Sequence, residues 1–342
     1  MTPDPGTGGP AHPDPGTGRP AHPDPGTDGP AHPDPGTDGP AHSGPVHAGG
    51  TPTELAAHAK LTLSLRVTGV RADGYHLLAS EMVTLDLADS LVIEPVDDDD
   101  AEATLHVSSA WPTGAWPTGD GEWRDVTVGP TDDNLVTRAL AATGRRARVQ
   151  LLKRIPPGAG LGGGSADAAA VLRWAGCHDR GIAARLGADV PFCLVGGRAL
   201  VAGIGEELVP MPFEPRSFVL LLPPFGVDTA AVYRAWDELT PDANRPTGGL
   251  LDGHARHGAH DGAVNELEAA ALAVEPRLAV WRRVFEQATG RPARLAGSGS
   301  TWFVEGTRDE LGLTGRAWLE VDGGRAPLVG TATSPAVGEV LQ

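Results

Sequence analysis

The chain has 342 residues and a formal net charge of −17, of which six aspartates against Arg19 in the first 50 residues account for −5, leaving −12 for the rest. Its length allows one large or two ordinary domains. A body this acidic is unsuited to a nucleic-acid groove, and no apolar run approaches the roughly 20 residues of a membrane span.

Residues 3–42 are four copies of one decapeptide, from PDPGTGGPAH to PDPGTDGPAH, with no aliphatic side chain larger than alanine. Such a segment cannot bury enough apolar surface to offset chain entropy, which predicts a disordered tail over residues 1–50. The repeat is too short and too polar to stack as a solenoid. His12, His22, His32 and His42 recur with it but offer a metal no ordered site. The stretch has neither the basic start nor the apolar core of a secretory signal.

From residue 55 the pattern becomes globular. AKLTLSLRVTGV alternates, with Leu61, Leu63, Leu65 and Val67 marking a half-buried strand. RADGYH follows as a turn with Asp73 and Gly74 at its tip. EMVTLDL and SLVIEPV read as two further strands, residues 97–100 as a solvated loop, and WPTGAWPTGDGEW as a surface excursion. TDDNLVTRALAATG sets capping aspartates before an amphipathic helix, and ARVQLLKRI is a strand leading into glycines. Beyond them ADAAAVLRWAG is strongly helical, GIAARLG is a second helix, and FCLVGGRALVAGIGEELVPM reads as a strand pair. FVLLLPP is a buried strand. TAAVYRAWDEL, VNELEAAALAV and PRLAVWRRVFEQATG read as helices, and ARLAGSGSTWFVEG as strand, glycine turn, strand. Strict βαβ alternation is missing, so an α+β fold is predicted, with domains over 51–211 and 212–342. Cys177 and Cys193 lack CxxC spacing; both read as packing residues and suit a reducing cytoplasm.

The stretch PPGAGLGGGSADAAA (156–170) carries most of the chemistry. The dinucleotide pattern GxGxxG fits Gly158, Gly160 and Gly163, but Pro156 and Pro157 separate them from the strand. Neither Asp179 nor Asp189 closes a second strand about 20 residues on, as that fold requires. No lysine follows the glycines, which excludes the GxxxxGK[ST] phosphate loop. What remains is a glycine-rich loop opening a helix, with Ser165 near its start. Free N–H groups and the helix dipole suit an anion there; a tight turn with no ligand is the alternative.

The same stretch resembles the central phosphate-binding motif of the GHMP kinase superfamily (galactokinase, homoserine kinase, mevalonate kinase, phosphomevalonate kinase). AHAKLTLSLRVTGVRADGYH is similar to its N-terminal motif and RLAGSGSTWFVEG to its C-terminal glycine motif, in the same order across residues 56–335. With GADVPF and VNELE added, the chain looks like the branch acting on a cytidine diphosphate conjugate of methylerythritol. The resemblance implies a two-domain α+β fold with the active site in the interdomain cleft. It implies ATP-dependent phosphorylation of the conjugate's 2-hydroxyl, on the non-mevalonate route to isoprenoid precursors. Magnesium would accompany ATP, with no dedicated metal ligands on the protein.

By this resemblance Asp189 is the catalytic base, and Lys60 holds it ionised and steadies the transferring phosphoryl. Asn134, Leu135 and Lys153 lie toward the nucleotide. Pro157, Gly158, Gly160, Leu161, Gly162, Gly163, Gly164, Ser165 and Asp167 wrap ATP. Tyr75 and His76 meet the cytosine ring, with Tyr233 on its other side and Thr62 and Thr229 as polar contacts. Gly297, Ser298 and Gly299 close the cleft. Plainer readings stay open for some of these: Asp189 as a helix cap, Tyr75 as hairpin packing, Lys153 as an exposed strand end.

Three departures from the family pattern stand out. Thr62 replaces a common asparagine. Ala166-Asp167 replaces serine-asparagine, adding a charge suited to solvent or a magnesium ion. The segment between Ala170 and Asp189 is short. His254, His257 and His260 sit among glycines and read as an exposed loop, and Asn265 as a cap or brace for its helix. Two other functions are weighed: a homoserine or mevalonate type of kinase, and a catalytically silent nucleotide-binding regulator. The DGYH motif with Tyr233 favours the cytidyl substrate, and the presence of Lys60 and Asp189 favours catalysis. The partner is then a small molecule, with no nucleic acid or membrane, for a cytoplasmic monomer or homodimer. Removing residues 1–50 is expected to leave the melting temperature and turnover essentially unchanged; a melting temperature lower by many degrees, or a several-fold loss of turnover, would give the tail a role.

Overall fold

Two long antiparallel strands, β1 (Thr53–Val70) and β2 (His76–Pro95), organise the first half of the chain. The computed structural model describes residues 51–96, 102–110, 134–241, 264–322 and 324–335. The decapeptide tail, the loop at 97–100, the excursion at 111–123 and the histidines at 254, 257 and 260 lie outside them. The described residues fall within one compact unit, Pro45–Gln342.

β1 occupies one edge of β2 along nearly its whole length. The other edge is shared by β4 (Ala147–Lys153), opposite Ser90–Pro95, and β5 (Arg198–Gly203), opposite Leu78–Val83. β3 (Leu105–Ser109) runs parallel to β4, and β6 (Glu207–Pro210) extends the sheet beyond β5. The two expected strands EMVTLDL and SLVIEPV are thus one. Asp86 and Asp89 interrupt its apolar pattern but do not end it, because both carboxylates accept hydrogen bonds from neighbouring segments. Asp86 takes the amide of Ala332 (3.0 Å), and Asp89 takes that of Ile155 (2.8 Å).

Helices α1 (Leu135–Ala142), α2 (Gly163–Trp174), α3 (Arg180–Leu186) and α4 (Val190–Val195) pack on this sheet. Residues 166–172 of α2 are all buried. Its run of alanines favours the helix and keeps it thin enough to be hemmed in by α1, α4 and β1. Asp179 caps α3 by accepting from the amides of Gly181 and Ile182. The strand expected to begin at Phe192 is instead, as far as Val195, part of a helix over 190–195. A short, fully buried apolar run carries no period to separate the two, and Pro191 sits in the first turn, where its missing N–H costs nothing.

The second half builds a five-stranded antiparallel sheet, β10-β11-β7-β9-β8. Its strands are β7 (Ser217–Leu221), β8 (Arg294–Leu295), β9 (Trp302–Glu305), β10 (Trp318–Val321) and β11 (Gly324–Ala332). The β10–β11 pair was not foreseen, although Asp322-Gly323 between two apolar runs is a hairpin signal. α5 (Thr229–Leu239), α6 (Glu268–Val274) and α7 (Arg277–Thr289) cover this sheet through Val232, Trp236, Leu278 and Phe285. α6 begins at Glu268, later than expected, because Asn265 is engaged elsewhere.

A third cluster joins the two halves: Leu61, Leu63, Val83 and Leu85 from the first sheet meet Phe218, Leu220 and Phe303 from the second. Phe218 and Phe303 pack edge to face, with centroids 5.9 Å apart. Leu61 and Leu63 alternate with Lys60 and Thr62, so the strand face opposite this core carries the polar pair. Phe303→Ala is expected to cost about 3–5 kcal/mol by opening a cavity in this shared core, read as a lower midpoint in urea.

Candidate active site

The Lys60 face of β1 opens on a cleft of about 1090 Å³ between the two sheets. Every residue assigned above by resemblance lines it except Gly299. Gly299 instead turns the backbone behind the wall, with φ +95° and an added Cβ meeting Leu295 and Val227.

The β1–β2 ladder shifts register between His58 and Lys60, so the irregularity falls at the lysine. Lys60 is buried and its amide donates to Leu161 O (3.0 Å), tying the strand to the glycine loop. Its Nζ reaches Asp189 Oδ2 at 3.3 Å and donates to Thr62 Oγ1 at 3.2 Å. Asp189 stands at the N-terminus of α4, but its side chain makes no capping bond, so the helix-cap reading fails. Its carboxylate is 31% exposed to the cleft. Thr62 spends its hydroxyl on Lys60. Cys193, on α4, is fully buried, and burial first, with Asp189 adding, pushes its thiol up to about 12; the packing reading holds for it.

Packing accounts for most of the glycine loop. A Cβ at Gly162 would stand 2.8 Å from Lys60 Cγ, one at Gly163 2.9 Å from Ile155 Cγ2, and one at Gly160 2.7 Å from Gly299 O. Real Cβ atoms do not approach that closely, and Gly158, Gly160 and Gly162 also have positive φ. Protein packing alone therefore requires glycine at most of these positions. Gly164 is different: its Cβ would meet only Leu135, at 3.5 Å. Past the turn, α2 starts with no side-chain cap, leaving the amides of Gly163, Gly164 and Ser165 at a positive helix end on the cleft.

Asn134 caps α1, accepting from Val136 N at 2.9 Å, and Leu135 follows it. Lys153 is not an exposed strand end. Its ammonium is clamped between Asp89, with which it forms a short ion pair, and Asp167 Oδ2 at 2.6 Å. Asp167 is not turned out to solvent; it is buried at the edge of the cleft, with Oδ1 unpartnered. Burial works against the Lys153 charge, but the two aspartates outweigh it and raise its pKa. One ammonium neutralises one carboxylate, and Asp89 also accepts from the Arg154 and Ile155 amides. The surplus proton belongs on Asp167, whose carboxyl burial pushes up to about 7, against the pull of Lys153 and with Asp89 adding. Sequence reasoning missed Asp89; its signal was an acid within an otherwise apolar strand.

On the opposite wall, α5 presents Thr229 and Tyr233 one turn apart. Thr229 Oγ1 and Ser298 Oγ share a hydrogen bond of 2.8 Å. Tyr233 stacks on His76, and burial, with Asp189 second, raises its phenol pKa. Tyr75 is 60% exposed at the rim, with the Arg71 guanidinium 5.9 Å above its ring. Asn265 does more than serve its helix. Its Nδ2 donates to Leu295 O (3.0 Å) and Gly297 O (2.6 Å), holding the second glycine turn, and its Oδ1 accepts from Leu267 N.

The GHMP kinases N terminal domain model matches residues 134–197, from the α1 cap through Asp189 and α4. A 4-diphosphocytidyl-2-C-methyl-D-erythritol kinase of Paracoccus denitrificans (strain Pd 1222) is 38% identical over 282 residues, covering 80% of this chain and 96% of that protein. One of the same name from Cereibacter sphaeroides (strain ATCC 17025 / ATH 2.4.3) is 39% identical over 264 residues, covering 73% and 88%. A crystal structure of 4-(cytidine 5'-diphospho)-2C-methyl-D-erythritol kinase superposes with TM-score 0.56 at 33% identity, covering 82% of this chain and 100% of that one. Methanococcus jannaschii mevalonate kinase shares the fold, with TM-score 0.51 at 12% identity, covering 83% and 99%.

Asp167 makes stability depend on pH. Its pKa is raised from 3.8 to about 7 on folding, so the stability it contributes is complete below 3.8 and is lost as pH rises through 7. Asp167→Asn keeps an acceptor for Lys153 without the charge. It is expected to melt several degrees above the wild type at pH 8, with the advantage shrinking as pH falls from 7 toward 4. Thermal melts across that range check it; a gain independent of pH would refute the assignment.

Proposed function

This chain belongs to the 4-diphosphocytidyl-2-C-methyl-D-erythritol kinase family, and on that premise we propose that its cleft transfers the γ-phosphoryl group of ATP to the 2-hydroxyl of 4-diphosphocytidyl-2-C-methyl-D-erythritol, a step of the non-mevalonate route to isoprenoid precursors. The observation that carries the reading is the Lys60–Asp189 contact at 3.3 Å, placed where the N-cap glycine of α2 touches the lysine stem.

Phosphoryl transfer asks a protein for positioning and charge stabilisation more than for covalent chemistry. Asp189 accepts the proton of the attacking hydroxyl. Lys60 keeps that carboxylate ionised and offsets negative charge on the transferring group. The free amides of Gly163, Gly164 and Ser165, with the α2 dipole, hold phosphate oxygens. Asn134, Leu135, Lys153 and Asp167 form the nucleotide end, while Tyr75, His76, Tyr233, Thr229 and Ser298 form the cytidyl end. Magnesium fits as an ion carried in by ATP, since such ions are held largely by substrate phosphates and water. Among the described residues no group of three His, Cys, Asp or Glu could ligate it alone. The two halves, 51–211 and 212–342, act as the walls of the cleft in a cytoplasmic monomer or homodimer.

A coupled assay with ATP and the cytidyl substrate is expected to show turnover. Asp189→Asn should lower kcat by about 10²–10⁴-fold, the range for a lost general base, with the nucleotide KM little changed; Lys60→Ala should fall comparably. Turnover of homoserine or mevalonate without turnover of the cytidyl substrate, or near wild-type activity in Asp189→Asn, would refute the reading.

A further inference from the structure

The cytidyl end of the cleft holds a histidine whose tautomer is set from outside the motif that contains it. His76, the first residue of β2, is stacked on Tyr233 with centroids 4.6 Å apart and planes at 28°. Trp236 meets the same ring edge-on at 5.7 Å. The third contact is polar: His76 Nε2 lies 2.8 Å from Asp237 Oδ1. Residues 233, 236 and 237 recur at helical spacing, so one face of α5 supplies all three. The His76 side chain is 9% exposed and thus held in place, whereas Asp237 is 40% exposed at the rim. Among the described residues Asp237 makes no other hydrogen bond or ion pair.

An ionised carboxylate only accepts hydrogen bonds, so Nε2 must carry a proton to meet Asp237. In the neutral imidazole the other nitrogen is then a bare acceptor. His76 Nδ1 makes no hydrogen bond among the described residues and is free to take one from a ligand. Cytosine and uracil differ at positions 3 and 4: cytosine presents a ring-nitrogen acceptor and a 4-amino donor, uracil an N3–H donor and a 4-carbonyl oxygen. Set against position 4, a bare Nδ1 accepts from the amino group of cytosine and faces the lone pairs of the uracil carbonyl.

We propose that Asp237 is a positioning residue that makes the site selective for cytosine over uracil nucleotides by holding His76 in its Nε2–H tautomer. The inference rests on the cytidyl reading of this pocket and extends it to a residue that neither motif nor spacing indicated. Asparagine at 237 could donate or accept. Asp237→Asn therefore releases the tautomer without removing the side chain, and Asp237→Glu keeps an acceptor-only group.

Calorimetric titration of the full chain with CMP and with UMP tests this, alongside KM and kcat for the cytidyl substrate. The wild type is expected to bind CMP at least about tenfold tighter than UMP, and the ratio in Asp237→Asn to fall within about threefold, as a lost hydrogen-bond discrimination should. Asp237→Glu should retain most of the preference, and the kinetic change should fall on KM rather than kcat. Equal affinities in the wild type would overturn the proposal. So would an Asp237→Asn variant that keeps the wild-type ratio, or that weakens both nucleotides alike. Absence of CMP binding to the wild type would remove the cytidyl reading itself, and this proposal with it.

Discussion

The glycine loop between β4 and α2 is wedged between two other backbones, and the rest of the site depends on that wedge. On one side Gly162 lies against the stem of Lys60, whose amide donates to Leu161 O. On the other, Gly160 presses on the carbonyl of Gly299, and Thr301 N donates to Ala159 O. A side chain at Gly162 would push the loop off β1, and one at Gly160 would push it off the Ala296–Gly299 turn of the second half. The close approach sets Lys60 beside Asp189 and aims the uncapped start of α2 into the same space. It also explains why a loop suited to phosphates contains more glycine than phosphate binding alone would need.

Charge is handled differently at the two ends of the cleft. Lys60 and Asp189 meet at an opening, where the Asp189 side chain stays partly exposed. Lys153, Asp89 and Asp167 form a largely buried cluster at the other end, with more acid than base. A buried pair of this kind gives little net stability, because desolvation offsets much of the attraction. Its effect here is geometric: Asp89 gathers Lys153 and the amides of residues 154 and 155, and so fixes where β4 hands over to the loop.

The His76 end of the cleft is built from the second half of the chain reaching toward the first. α5 covers the second sheet through Val232 and Trp236, and the same helix turns Tyr233 and Asp237 onto His76 of β2. Asn265 pins the Gly297 turn that stands over Lys60 and Thr62. The two ends of the cleft thereby rest on one shared apolar core, that of Leu61, Leu220 and Phe303.

Much of this was legible in the chain itself. Alternation marked β1, alanine content marked α2, and the glycine stretch, DGYH and GADVPF marked the cleft residues, because those signals act over a few neighbouring positions. Where period or local polarity was ambiguous, sequence reading went astray: α4 looked like a strand, β2 looked like two, and the β10–β11 hairpin passed unnoticed. The role of Asp237, the partners of Asp89, the reach of Asn265 to the Gly297 turn and the burial of Asp167 had no local signature. Each is defined by partners 14 to 161 residues away. The sequence by itself determined which groups could carry the chemistry. Only the tertiary structure decided which of them are free to do it, because burial and hydrogen bonding are properties of neighbours that the chain brings together from far apart.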